Sequence, residues 1–349
     1  MIVVKRKAAT MQDIALQIGI SVNAVSLALK NRPGVSEETR RRVQEVAQQI
    51  GYKPKQTQPA PETPEPRKSI CVLLLDRFFR DFRFYGRILL GIEETAKQAG
   101  YEVQISSFST LGEETVPASV QEHRVAGLIV LGMIRDSFLA RLLETDVPLV
   151  LADHQSSRYA VDCVLSDNYF GAYRMAMYLF QKGYTKIGFF GDREYTPSTR
   201  DRYFGVLKAV NDHVCPGNMK EAMDYLERFS TCGKIEKYAV EQNAQRIFEL
   251  YQEIPDKPDA LICSNDELAI LLMQTLQKND ISVPGDVAIT GYDDIETSGM
   301  MAPALTTIHV QKRLMGQRAV ECLLRRLEHP HDLPEKRTIS VTLVERESV

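Results

Sequence analysis

Residues 10–54 read TMQDIALQIGISVNAVSLALKNRPGVSEETRRRVQEVAQQIGYKP, a pattern that predicts three short helices. In the first helix Thr10 and Asp13 have the spacing of a capping box, and a glycine ends it. Ser21 and Ser36 cap the second and third helices. Only about three residues, GIS, separate the first two helices, which is typical of a helix-turn-helix motif. Apolar residues at helical spacing predict one shared core formed by Met11, Ile14, Ala15, Ile18, Val25, Ala28, Leu29, Val43, Val46 and Ile50.

The positive charge of the chain is concentrated in the same region. Residues 1–55 hold ten Lys and Arg against four Asp and Glu, a net charge of +6, whereas the other 294 residues carry −9. A small basic module on an acidic body favours a module that binds a polyanion. From charge alone, the alternative is an ordinary solvated basic surface.

The second helix of a helix-turn-helix lies in the major groove of DNA, with its amino-terminal residues against base edges. Asn23 can form a bidentate contact with adenine, and Val22 can pack on a thymine methyl group. We expect further contacts with bases or phosphates from Thr10, Ser21, Ser26, Leu27, Lys30, Arg32 and Lys53. The alternative is a three-helix protein-interaction module, but the charge and the tight turn favour DNA.

A proline-rich linker, residues 56–69, follows this headpiece of residues 1–55. Four prolines between positions 59 and 66 remove amide donors and clash with the preceding turn, so a regular helix is not expected there. We predict an extended, polyproline-like spacer.

From residue 70 to residue 349, short apolar runs alternate with amphipathic stretches. The runs are continuous and not alternating, which predicts parallel strands with helices on both faces; they are ICVLLLD, YEVQIS, VAGLIVLG, VPLVLAD, KIGFFGD, DALICSND and DVAITGYDD. Ligands of open parallel sheets bind outside the carboxyl ends of the strands. Polar or glycine residues at these ends are therefore candidates by position, among them Asp76, Gly132, Asp153, Gly191, Asp192, Asn265 and Asp293.

Composition and motifs narrow the class of protein. The chain is 44% hydrophobic and 26% charged, as in globular proteins, and its length predicts two or three domains. No apolar run approaches the roughly 20 residues of a membrane span, and the amino terminus lacks a signal-peptide pattern. We expect a cytoplasmic protein with six reduced cysteines, no metal and no cofactor. Nucleotide-binding, zinc-protease and serine-hydrolase motifs are all missing, so no enzyme is predicted.

Residues 10–54 resemble, without gaps, the headpiece of the LacI/GalR (lactose-repressor) family of bacterial transcription regulators. The body resembles the family's effector domain, which is similar to periplasmic sugar-binding proteins, through stretches such as SDNYFGAYRMAMYLFQKGYTKIGFFGD, CSNDELAI and VPGDVAITGYDDI. The resemblance implies two doubly wound α/β subdomains joined by three crossings, with a ligand between them. We place the first subdomain at about 70–166 and 293–325, and the second at about 167–292 and 326–349.

Family members hold their effector with an arginine in R-x-x-G, an asparagine in N-D and an aspartate in G-[YF]-D-D. Arg202, Asn265 and Asp293 match these positions. Their donors and acceptors suit a polyhydroxylated ligand, so the resemblance implies a sugar or a sugar derivative.

Other cleft candidates carry alternative readings. Phe84 and Tyr85 match an aromatic pair that follows the first strand in relatives, but core or dimer-interface positions are alternatives. For Asp76, Asp153 and Asp167, the alternative is a helix cap or a turn. Asp266 is expected to cap the helix that follows it.

The sequence departs from the family pattern at three places. Many relatives have a guanine-reading arginine at the position of Leu27, so a different operator is expected. The family's hinge helix inserts a leucine into the minor groove, whereas the linker here has no leucine, which predicts weaker hinge-dependent DNA bending. Phe82 and Arg83 replace a usual Asn-Pro pair.

The residues and the resemblance together predict a ligand-responsive, sequence-specific DNA-binding regulator. We expect a homodimeric repressor of a catabolic operon that binds palindromic DNA, because one headpiece contacts few base pairs. The alternatives are a solute-binding protein or an enzyme on the same α/β fold.

Overall fold

A computed structural model describes residues 10–29, 35–50, 52, 69–79, 82–109 and 114–349, without the side chains of Asn23 and Phe79. Its contacts divide the chain into two compact units, residues 1–65 and 66–349. The predicted contacts of Lys30, Arg32 and Lys53 lie outside the described residues, and so do the linker up to residue 68 and the side chain of Asn23.

The first unit contains the three predicted helices, α1 (Met11–Ile18), α2 (Val22–Leu29) and α3 (Glu37–Gln49). Thr10 and Asp13 form the predicted capping box, in which the Thr10 N–H donates to Asp13 Oδ2 at 2.8 Å. The helices bury one small core whose fully enclosed members come from all three, namely Ile14, Val25, Ala28 and Val43. The predicted caps and apolar spacing are therefore confirmed.

The second unit alternates strands and helices. In chain order its elements are β1 (Ser69–Leu75), α4 (Tyr85–Gln98), β2 (Glu102–Phe108), α5 (Ala118–Gln121), β3 (Gly127–Leu131), α6 (Asp136–Leu143), β4 (Leu149–Ala152), β5 (Asp162–Ser166), α7 (Asn168–Gln181), β6 (Ile187–Phe190), α8 (Pro197–His213), α9 (Met219–Phe229), α10 (Glu236–Val240), α11 (Ala244–Gln252), β7 (Ala260–Cys263), α12 (Asp266–Lys278), β8 (Ala288–Thr290), β9 (Thr307–His309), α13 (Lys312–Glu328), β10 (Lys336–Ile339) and β11 (Thr342–Val344). Short 3-10 turns lie at Asp76–Phe79 and Glu296–Met300.

The first subdomain is a six-stranded parallel sheet in the order β2-β1-β3-β4-β5-β10. Every residue of β1 is buried, because its side chains alternate between two cores. Val72 and Leu74 pack toward α4 and α13, whereas Cys71 and Leu73 pack toward α5 and α6. A continuous apolar run is what a strand covered on both faces requires.

The second subdomain has a parallel sheet in the order β6-β7-β8, and β9 pairs with β11 in an antiparallel ladder. Helices α7, α8 and α9 cover one face, and α10, α11 and α12 cover the other. The chain passes between the subdomains after β5, before α13 and between β10 and β11. None of the helices in the described ranges combines the length and apolar character needed to cross a bilayer.

The predicted carboxy-terminal subdomain boundaries are wrong. The whole of α13 packs on α4 and on β3 to β5, and β10 pairs with β5, so residues 312–339 belong to the first subdomain. Residues 293–309 belong to the second, because β9 pairs with β11 and Thr306 bridges Thr290. An apolar periodicity shows that a helix covers a sheet, but it does not show which of two sheets is covered.

Candidate functional site

A cleft of about 390 Å³ lies between the two subdomains of residues 66–349. It opens at the carboxyl ends of the parallel strands, where ligands of this architecture bind. Six of the eight predicted effector residues line it, namely Phe84, Tyr85, Asp153, Arg202, Asn265 and Asp293.

Arg202 is held rigidly at the back of the cleft. Its Nε donates to Asn168 Oδ1 at 2.9 Å, Nη1 donates to the Ser264 carbonyl at 2.6 Å, and Nη2 donates to Asp293 Oδ1 at 3.0 Å. The guanidinium lies 3.8 Å from the centre of the Tyr292 ring. The side chain is 6% exposed, and a buried ion pair with this many hydrogen bonds keeps both groups charged and oriented.

Asp293 presents its carboxylate from a strained backbone. Its φ of 108° lies in a region that L-residues rarely adopt, and such strain concentrates at binding sites. Lys312, at the start of α13, donates through Nζ to the carbonyls of Asp293 and Asp294. The Asp294 carboxylate accepts from Arg346 at 2.6 Å. The loop that carries Asp293 is therefore bonded to the segments that cross between the subdomains.

Asn265 caps α12, and the prediction that Asp266 would cap this helix is wrong. Asn265 Oδ1 accepts from the Leu268 N–H at 2.9 Å and caps α12. Asp266 is fully buried and accepts hydrogen bonds from the Ile295 N–H, Ser298 Oγ and Thr307 Oγ1 at 2.9, 2.6 and 2.5 Å. Asp266 thus ties α12 to the Asp293 loop and to β9. Burial raises the pKa of its carboxyl to about 7, and the nearby charge of Asp293 adds to that increase.

The first subdomain contributes an aromatic wall. Tyr85 stacks on Phe78 with ring centres 4.1 Å apart, and Phe84 meets Tyr85 edge-on at 5.0 Å. The Tyr85 hydroxyl donates to Asp153 Oδ2 at 3.3 Å. Phe84 is only 6% exposed, so it belongs to the core as well as to the cleft.

Two predicted effector residues lie elsewhere. Asp76 is exposed at the start of the 3-10 turn after β1, and Asp167 caps α7 by accepting from the Phe170 N–H at 3.2 Å. Neither belongs to the described lining of the cleft. For Asp167 the structure supports the cap alternative.

Sequence reasoning missed several lining residues. Tyr195 and Thr196 follow the carboxyl end of β6, so the strand-end rule could have found them. Arg77 follows β1 in the same way. Glu236 comes from α10, for which the sequence carried no signal; burial raises the pKa of its carboxyl.

The first unit exposes the part of α2 that was predicted to read bases. Val22 is 40% exposed, and Ser26 is half-buried. Ser21 Oγ caps the helix by accepting from the Ala24 N–H at 3.2 Å. DNA contacts by these residues, and by Thr10 and Leu27, stay predictions.

Comparison with known proteins identifies both units. Residues 10–55 match the profile of "Bacterial regulatory proteins, lacI family", and residues 176–349 match that of a periplasmic binding protein-like domain. The chain therefore combines a lacI-family helix-turn-helix domain with a periplasmic binding protein-like domain. The HTH-type transcriptional repressor CytR of Escherichia coli (strain K12) is 29% identical to this chain over 345 residues, 98% of this chain and 96% of CytR. The repressor PurR of Aliivibrio salmonicida (strain LFI1238) is 28% identical over 329 residues, 93% of each chain.

Solved structures share the fold. The transcriptional regulator CelR in its cellobiose complex has a TM-score of 0.70 at 22% identity, covering 98% of this chain and 100% of CelR. The lac repressor dimer bound to operator and the anti-inducer ONPF has a TM-score of 0.66 at 23% identity, covering 98% and 99%. These matches confirm the predicted fold class, a helix-turn-helix headpiece with a periplasmic-binding-protein-like body.

Proposed function

We propose that this chain is a transcriptional repressor whose affinity for operator DNA changes when a sugar or sugar derivative binds in the cleft. The positions and hydrogen bonds of Arg202 and Asp293 carry the proposal. Both line the cleft, and their hydrogen bonds reach the segments that cross between the subdomains. A ligand that contacts them therefore acts directly on the connections that must move when the cleft opens or closes.

The chemistry of the lining supports a polyhydroxylated ligand. Arginine and aspartate form charge-assisted bonds with vicinal hydroxyls, and an asparagine amide both donates and accepts. The Tyr85 and Phe84 rings offer an apolar face for the sugar ring. The fold neighbours CelR, in complex with cellobiose, and an Enterococcus faecium LacI-family regulator, with bound ribose, support the same class.

Coupling between the ligand and DNA follows from the crossings. Arg202 contacts Asn168 just after the first crossing, Lys312 lies at the second, and Arg346 follows the third. A change at Asp293 thus reaches all three connections. A coupling free energy of about 1–3 kcal/mol is enough for a roughly 5–150-fold change in operator affinity.

The repressor acts as a homodimer on a palindromic operator in the cytoplasm. Each headpiece reads only a few base pairs, so two-fold pairing is needed for useful affinity, and the half-sites follow that symmetry. We propose no catalytic reaction, metal or cofactor for this chain. A solute-binding protein or an enzyme on this fold would have no use for the helix-turn-helix unit.

Operator selection tests the DNA-binding part of the proposal. The full chain is incubated with a pool of random palindromic DNA, and the bound fraction is enriched and sequenced. We expect one palindromic consensus whose binding weakens as salt is added. Binding without sequence preference would reject the proposal.

A thermal-shift screen of sugars and nucleosides tests the effector part. A ligand at 100 times its dissociation constant adds about 2.7 kcal/mol of stability. Arg202→Ala should abolish this stabilisation and keep operator binding, whereas the control Arg200→Ala, an exposed arginine on the same helix, should keep both. An equal ligand response in the two variants would exclude Arg202 from the effector site.

A further inference from the structure

Arg77 differs from the other arginines of the cleft in its hydrogen bonding. Arg202 donates through all three of its nitrogens, and Arg83 pairs with Glu267 across the cleft at 3.6 Å. The Nε and Nη2 atoms of Arg77 are buried and have no hydrogen-bond partner among the described residues. No carboxylate of the described residues lies within ion-pairing distance of the Arg77 guanidinium.

Two aromatic rings hold the Arg77 guanidinium in place. Its central carbon lies 5.0 Å from the centre of the Phe78 ring and 5.3 Å from that of Tyr195. Phe78 belongs to the first subdomain and Tyr195 to the second, so the cation lies where the two subdomains meet. The Tyr195 side chain also interacts with Arg77 through its hydroxyl, whereas the buried Nε and Nη2 atoms remain without an acceptor among the described residues.

The nearby buried carboxylate of Glu236 is already engaged. Both of its oxygens accept from the Asp192 N–H, at 2.7 and 2.9 Å. Glu236 is 2% exposed, and its hydrogen bonds hold it to the loop after β6. No ion pair joins Glu236 to Arg77 among the described residues.

An uncompensated guanidinium edge inside a ligand cleft has a physical cost, because buried donors without acceptors lose their hydration. An incoming anion removes that cost and forms short, charge-assisted bonds with the planar fork. A neutral hydroxyl group offsets less of this desolvation cost. The cavity volume of about 390 Å³ lies in the range of small-molecule sites, so one ligand can reach both Arg77 and the hydroxyl-binding candidates Asp153 and Asn265.

We propose that the effector carries an anionic group, a phosphate or a carboxylate, and that Arg77 binds this group between Phe78 and Tyr195. The inference rests on the proposed function, in which the cleft binds the effector. It narrows the ligand from sugars in general to acidic sugars and sugar phosphates. Because the anion lies between rings of both subdomains, its binding also favours the closed cleft.

Inorganic phosphate is the first probe. The unfolding temperature of the full chain is measured in rising phosphate at constant ionic strength for wild type, Arg77→Met and Arg228→Met. Methionine keeps the unbranched stem, and Arg228 is a matched control because it also lies over a ring, Phe229 at 5.5 Å, but outside the cleft. We expect a saturable rise on the order of 2 °C that is lost only in Arg77→Met. The same rise in all three proteins would overturn the proposal.

A second arm separates the two sources of the anion. Glucose, glucuronate and glucose 6-phosphate are compared with wild type and Arg77→Met in the same assay. A larger stabilisation by either acidic sugar than by glucose, absent in Arg77→Met, supports the proposal and identifies carboxylate or phosphate. Equal responses to all three sugars in both proteins count against it.

Operator binding distinguishes this proposal from the proposed function. Arg77→Met should bind the selected operator as wild type does in the absence of ligand. A phosphate response without any specific DNA binding would leave Arg77 as an anion site and reject the repressor. Specific DNA binding without an Arg77-dependent response would support the repressor and reject Arg77 as the anion site.

Discussion

At the scale of single residues, Asp266 connects three segments of the chain near the cleft. Its carboxylate joins the start of α12 to the Asp293 loop and to β9 through three hydrogen bonds. The residue is fully buried, so the ionised form is costly even with these donors. It positions Asp293 without contacting the cleft.

Asp266→Asn should change how stability depends on pH. The carboxyl has an ordinary pKa of 3.8, and burial raises its pKa to about 7 in the folded chain. The unfolded chain therefore ionises first as pH rises, and the free energy of unfolding falls until the folded carboxyl has also ionised. Between about pH 4.5 and pH 8 this loss is roughly 3 kcal/mol for wild type and absent for Asp266→Asn.

Urea unfolding across that pH range measures the difference between the two proteins. Asparagine keeps the shape and can still accept from the Ile295 N–H, so the comparison isolates the charge. Parallel pH curves for wild type and variant would show that Asp266 does not titrate in this range.

At the scale of elements, helices α7 and α8 pack unusually closely. A Cβ atom on Gly205 would lie 2.1 Å from the Tyr169 carbonyl oxygen and 3.0 Å from the Tyr173 nitrogen. These are backbone atoms of α7, which cannot move aside as a flexible side chain could. Gly205, the glycine of the R-x-x-G motif, therefore allows the close packing of α7 and α8. This contact fixes the position of Arg202 on α8.

Gly205→Ala should destabilise the chain by about 1–3 kcal/mol or more, the usual cost of overpacking a close contact. Gly233→Ala is the matched control, because a Cβ there meets nothing within 4 Å. The control should change the unfolding free energy by less than about 0.5 kcal/mol. Equal stabilities in a denaturant titration would mean that α7 can shift without cost.

The second helix of the first unit is the element that we propose reads the operator sequence. Joint replacement Asn23→Ala and Ser26→Ala should weaken binding to the selected operator, because good base contacts contribute about 1–3 kcal/mol of discrimination each. Binding to random DNA should change little. Gln48→Ala, exposed on α3, is the control. Unchanged operator affinity in the double variant would remove α2 from the interface.

At the scale of the whole molecule, charge is divided between the two units. The net +6 of residues 1–55 and the net −9 of the rest direct DNA toward the headpiece and away from the body. Association with DNA should therefore depend strongly on salt.

Lys30→Ala should weaken binding to operator and to random DNA by similar factors, since a phosphate contact carries no sequence information. The slope of log K against log salt should become shallower by about 1. Lys278→Ala, an exposed lysine on α12 in the acidic body, should leave the slope unchanged. A salt slope that Lys30→Ala does not alter would place Lys30 away from the phosphates.

Local features of the sequence were enough to predict the three helices of the headpiece and the α/β class of the body. Caps, the turn glycine and helical spacing act over a few neighbouring residues, so Thr10, Ser21 and Ser36 could be read without a structure. Continuous apolar runs such as β1 report burial on both faces, which is also a local property. The strand-end rule and the family motifs together predicted Arg202, Asn265 and Asp293 in the cleft.

Only tertiary structure could place α13 and β10 in the first subdomain, because either sheet can accept an amphipathic helix and a short strand. It alone distinguished the capping Asn265 from the buried Asp266, since adjacent polar residues have equal capping propensity and differ here only in what packs around them. The same holds for Arg77, which lies near rings from two subdomains and whose Nε and Nη2 have no acceptor among the described residues. Such properties depend on contacts between residues far apart in the chain, and no local pattern encodes them.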